Sequence, residues 1–140
     1  MEFPYVRGEG TFGPVYRPNL PVTLSYGTKN FRLGHALVDT GADMTVLPLD
    51  IAHYLEIELD DSRTVRIEGA GGGVFVAMPS SRKIGYAIEQ KGHRPVCWQG
   101  VAYLAGEQPL ALLGHFDCLE KLDLQFFGAQ RLLRVLRAQR

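Results

Sequence analysis

Cysteine is scarce in this chain: its 140 residues hold two, Cys97 and Cys118, in no CxxC pairing. That is too few for a disulfide framework, and both are expected to be buried thiols. Excess charge is absent as well. Fifteen Lys plus Arg balance fifteen Asp plus Glu, so no global field favours nucleic acid or an anionic membrane, and neither is expected as a partner. Met1 is followed by Glu2, Pro4 and Arg7 rather than by the apolar run of a signal peptide, and no stretch is long and apolar enough to cross a bilayer. The expected location is therefore the cytoplasm. The four histidines, His35, His53, His93 and His115, lack metal-ligand spacing such as HExxH, so neither a metal nor another cofactor is expected. The one local charge excess, Arg131, Arg134, Arg137 and Arg140, could touch an acidic partner but reads first as a solvated chain end.

What the chain does have is turn chemistry. Sixteen glycines and eight prolines interrupt short β-branched and aromatic segments every ten residues or so, which points to one mainly β domain without long helices. Residues 1–20 carry Pro4, Gly8, Gly10, Gly13, Pro14, Pro18 and Asn19 and read as an irregular lead-in, leaving 21–140 as the folded domain. Strands are expected over Pro21–Tyr26 and Phe31–Val38, separated by a turn at Gly27–Asn30. Pro48 suits a helix start, and Leu49, Ala52, His53 and Leu55 follow at helical spacing, so a short helix is expected over 49–55. Thr64–Ile67, the glycine-rich 69–73 and Val74–Met78 read as a projecting hairpin. A second hairpin runs from Lys83–Glu89 through Gly92 to Val96–Leu104. Leu110–Leu113 reads as a brief strand, Phe116–Lys121 as a short helix, and Leu122–Phe127 with Leu132–Leu136 as a terminal hairpin. Tyr86, Trp98 and Tyr103 fall in expected strands as core or groove-lining residues, not as a nucleic-acid stacking platform.

The segment richest in chemistry is Ala36-Leu37-Val38 followed by Asp39-Thr40-Gly41-Ala42-Asp43. An apolar strand holds an acid rigidly at its end; the threonine hydroxyl can lock the loop, and glycine lets the backbone pass close to another chain. Taken alone, Asp-Thr-Gly is equally good turn chemistry. The glycine-rich 69–73 also has a second meaning, a phosphate cradle. That use requires a following helix N-terminus, whereas Val74-Phe75-Val76-Ala77 reads as strand.

The run Asp39–Asp43, continued by Thr45-Val46-Leu47, resembles the catalytic segment of retropepsins, the single-domain aspartic peptidases of retroviruses and their bacterial relatives. Three further matches follow in the family's order. Glu68–Gly73 resembles the flap, Leu112-Leu113-Gly114 the second apolar strand with its glycine, and Phe116–Leu122 the helix after it; together they cover roughly residues 20–127. The resemblance implies an all-β, retropepsin-like acid protease barrel with a flap hairpin and one or two short helices, assembled as a homodimer. It implies an aspartic endopeptidase acting on peptide or protein substrates, with Asp39, Thr40 and Gly41 catalytic and Ala42, Asp43, Gly69, Ala70, Gly71, Gly72 and Leu112 binding substrate. One carboxylate per chain cannot share a proton with itself, so the second copy is required by the chemistry. The alternative is a non-catalytic peptide-binding or assembly module on the same fold. One departure stands out: retroviral members place an arginine after the second glycine, paired with the acid matching Asp43, and here His115 occupies that position. A His115–Asp43 pair titrating near neutrality is the expectation.

Overall fold

The computed structural model describes every residue except Ala70, Glu107, Gln139 and Arg140. Fourteen strands follow in order: β1 Glu2–Pro4, β2 Val6–Gly10, β3 Gly13–Arg17, β4 Asn19–Tyr26, β5 Lys29–Val38, β6 Val46–Pro48, β7 Val65–Glu68, β8 Val74–Pro79, β9 Ile84–Ile88, β10 Val96–Gly100, β11 Tyr103–Ala105, β12 Ala111–Leu113, β13 Leu122–Phe127 and β14 Leu132–Ala138. The one α-helix among the described residues, α1, spans Leu49–Leu55. The all-β architecture expected from the resemblance is present. No helix among the described residues is long and apolar enough to cross a membrane.

Strict alternation builds the strands that surround the core. In β4, Leu20, Val22, Leu24 and Tyr26 turn inward while the residues between them stay half-exposed, the period-two pattern of a half-buried strand. Each fully buried aliphatic side chain stabilises the fold by about 1.5–3 kcal/mol. Nine strands form one sheet in the order β10-β9-β4-β5-β12-β6-β11-β8-β7, and a second sheet is ordered β1-β14-β13. Side chains from β4, β5, α1, β9, β10, β12 and β14 meet in one apolar cluster. Inside it Tyr86 and Trp98 stack with ring centroids 5.0 Å apart, placing both in the core. Ile51, Ala52 and Leu55 bury the inner face of α1, over the range expected from the sequence.

Several expectations change. Residues 1–20 are not an irregular lead-in: β1 pairs with β14, β2 with β3, and Asn19 and Leu20 already belong to β4. Proline is tolerated there because Pro4 and Pro14 lie on edge strands, where a missing N–H breaks no ladder. The segment from Val96 to Leu104 is two strands. Val101 and Ala102 interrupt it, so that β10 pairs with β9 while β11 crosses to β6 and β8. Phe116–Lys121 is not a helix. Phe116 forms a parallel bridge with Met44 and Asp117 sits at φ +57°, leaving only a 3-10 turn at Leu119–Lys121. Cys97 is exposed while Cys118 is buried, because alternation along β10 turns Val96 and Trp98 inward and Cys97 out. The basic segment is a paired strand and not a loose end: Arg134 bonds Glu2 and Arg137 bonds Asp123. Arg131 lies over the Tyr16 ring, and Arg140 falls outside the described residues.

Candidate active site

Strand β5 ends at Val38 and delivers Asp39 into a loop held on both sides. Ala36, Leu37 and Val38 pair in parallel with Ala111, Leu112 and Leu113 of β12, and the Asp39 amide donates to the Leu113 carbonyl at 3.1 Å. Within the loop the Gly41 amide donates to Asp39 Oδ1 at 3.0 Å, and the Ala42 amide donates to the Asp39 carbonyl at 3.1 Å. The first of these bonds ties one carboxylate oxygen to the loop backbone.

A second chain segment crosses this loop. The amides of His115 and Phe116 donate to the carbonyls of Ala42 and Asp43 at 2.9 and 2.8 Å. Gly114 packs so tightly on Met44 that a Cβ there would overlap the Met44 backbone, which explains the glycine that follows Leu112-Leu113. The Gly114 amide, buried at the crossing, donates to Thr45 Oγ1 at 3.2 Å. Thr45 is fully buried, and its hydroxyl is the polar anchor of the crossing. Cys118 lies buried beneath; burial pushes its thiol up to about 11, so it stays protonated and inert at neutral pH.

His115 does not pair with Asp43. Its Nε2 lies 2.9 Å from the Thr40 carbonyl oxygen, and among the described residues the Asp43 carboxylate forms no ion pair. The imidazole is drawn to the loop backbone instead, tying Thr40 to the crossing segment.

Above the loop lies a groove of about 510 Å³. Of the residues singled out in the sequence, Asp39, Gly41, Ala42, Asp43, Gly69 and Leu112 line it. Thr40 is exposed beside it, Gly71 and Gly72 belong to the hairpin tip beyond the lining, and Ala70 lies outside the described residues. Met44, Val46, Arg66, Ile67, Glu68 and Phe75 also line the groove and were not anticipated. The signal for two of them was present: in the hairpin β7–β8, Ile67 pairs with Phe75, and alternation turns both toward Val46, Ala77 and Ala105. The hairpin turns through Gly69, whose amide donates to the Gly73 carbonyl at 2.8 Å, and through Gly72 at φ +78°, a conformation suited to glycine.

An acid fixed at a strand end, flanked by small residues and opening into an apolar groove under a β-hairpin can hold an extended peptide beside a carboxylate. No curated protein matches the chain closely enough to count as a relative. A family model described as aspartyl protease matches residues 21–85, and the part of the chain that runs from β4 through the Asp39 loop and the β7–β8 hairpin into β9 is therefore similar to aspartyl proteases.

Proposed function

We propose that this chain is an aspartic endopeptidase, active as a homodimer in the cytoplasm, that cleaves peptide or protein substrates with no cofactor. The observation that carries the reading is the Asp39 carboxylate, locked by the Gly41 amide at the floor of the groove. Two such carboxyl groups a few ångströms apart share one proton, because both cannot ionise together. A two-fold axis beside Asp39 supplies the second group through an isologous contact. The ionised Asp39 then acts as general base on a water between the pair, and its protonated counterpart donates to the scissile carbonyl oxygen. The water oxygen adds to that carbonyl carbon, and the peptide bond breaks as the departing amine takes a proton. Thr40, whose hydroxyl points to no partner within the described chain, is assigned a hydrogen bond across the axis. Gly41 and Asp43 are assigned the substrate main chain, and the β7–β8 hairpin acts as the flap that closes over it and excludes water.

The test incubates wild type and Asp39→Asn with a random peptide library from acid to neutral pH. Wild type is expected to cleave, an aspartic-peptidase inhibitor to abolish the cleavage, and Asp39→Asn to fall by about 10²–10⁴-fold with unfolding temperature unchanged. Equal silence from both proteins, at concentrations where the wild type is dimeric, rejects the enzyme reading in favour of a peptide-binding module.

A further inference from the structure

The ribbon β2–β3 is built but not packed. Among the described residues its strands pair only with each other, and none of its residues enters either apolar cluster. A lone two-stranded ribbon is marginal in water. What steadies this one is its root: the Tyr5 amide donates to the Arg131 carbonyl at 2.7 Å, and the Arg131 guanidinium lies 3.6 Å from the centre of the Tyr16 ring. At the far end Gly10 pairs with Gly13 across the turn Thr11-Phe12, and Phe12 is 103% exposed. Burying a phenyl ring is favourable, and nothing among the described residues buries this one.

The position of the root gives the ribbon its meaning. The Val38 amide donates to the Pro18 carbonyl at 2.8 Å, so the ribbon leaves the body beside the residue that precedes Asp39. That is the place where a second copy must come if it is to bring its own Asp39. A stable interface engages about 20–30 residues a side, far more than the Asp39–Met44 loop supplies. A five-residue strand reaches about 17 Å at 3.4 Å per residue, far enough to extend past the loop onto another chain.

We infer that β2–β3 is a dimerisation arm: each copy lays its ribbon across the other and buries Phe12 against the second chain. The inference rests on the reading of Asp39 as half of a shared pair. By two-fold symmetry every dimer contains the contact twice, so one substitution removes both phenyl groups.

Sedimentation velocity over a concentration series, with peptide cleavage measured on the same samples, tests the arm on the full chain. Phe12→Ser is expected to weaken self-association by about tenfold or more, to make cleavage fall more steeply on dilution, and to leave unfolding of the monomer unchanged. Phe12→Leu, which keeps an apolar tip, is expected to restore most of the association. Undiminished association of Phe12→Ser overturns the arm and leaves the shared site standing. Faster cleavage by Phe12→Ser at unchanged association also overturns it, since the ribbon would then be covering its own groove. A wild type that stays monomeric and cleaves nothing overturns the arm and the shared site together.

Discussion

The Asp39 loop and the β7–β8 hairpin face each other across one groove but are secured in opposite ways. The loop is pinned at every step: to β12 through the Asp39 amide, to itself through Gly41, and to the crossing segment through His115, Phe116 and Gly114. The hairpin is held at its base, where Met78 and Ala77 pair with Leu104 and Ala105. Beyond that pairing its outer face leaves Val74 and Val76 exposed. A floor tied by several bonds along its length keeps a carboxylate in one place, whereas a cover tied at one end can be lifted at small cost. The same apolar groove thus has one wall suited to positioning and another suited to admission.

The sharpest way to break that contrast is a pair of glycine substitutions. Gly114→Ala forces a methyl group into the Met44 backbone and is expected to destabilise the protein by about 1–3 kcal/mol, with cleavage lost in proportion as the Asp39 loop shifts. Gly73→Ala meets no atom within 4 Å and is expected to change stability by about 0.5 kcal/mol or less. Chemical denaturation of the two variants decides the matter, and equal losses would dissolve the distinction between floor and cover. Thr45→Val tests the anchor. It leaves the buried Gly114 amide without its acceptor, and a loss of about 1–3 kcal/mol is expected, against near-neutrality for Val76→Ser on the outer face of the hairpin.

The smallest effect concerns the far side of the crossing, where Asp117 joins the interruption between β10 and β11. Burial pushes its carboxyl up, but the Lys121 ammonium, the Val101 amide at 2.9 Å and the Lys83 ammonium outweigh that and hold it below its ordinary value of 3.8. A carboxylate with a depressed folded-state pKa contributes stability that is complete above its unfolded value and is lost as pH falls through its folded value. The contribution should therefore be constant near neutrality, begin to fall below about pH 4, and be gone only once the pH lies below the depressed folded-state value. Asp117→Asn should flatten that part of the stability profile, which thermal unfolding between pH 2 and 6 would detect.

Much of this arrangement was legible in the sequence, and the failures have physical causes. Helix α1 was readable because Pro48 and the spacing of Leu49, Ala52 and Leu55 agree with each other. The loop at Asp39 was readable because Asp, Thr and Gly are turn residues that follow directly on an apolar strand. The ribbon was not, since Gly8, Gly10, Gly13 and Pro14 carry turn preferences that only cross-strand pairing overrides. Phe116 and Asp117 were misread as helix because their conformation is imposed by Met44 and Val101, partners far away in the chain. His115 was given an ionic partner by analogy, whereas a carbonyl of the neighbouring loop had the better geometry. Lining residues such as Arg66 and Glu68 come from an edge strand whose place over the groove depends on the order β11-β8-β7, which no local pattern encodes.

The parallel pairing of Leu37 with Leu112 also governs when the Asp39 loop is braced. Contacts this remote in sequence form slowly, because a long intervening stretch must be closed before they are rewarded. On the ribosome the strand that ends at Asp39 emerges well before the one that braces it, and Gly114–Phe116 emerges later still. A nascent chain thus carries Asp39 unbraced until β12 has been made, and the loop takes its final form only after that strand has docked.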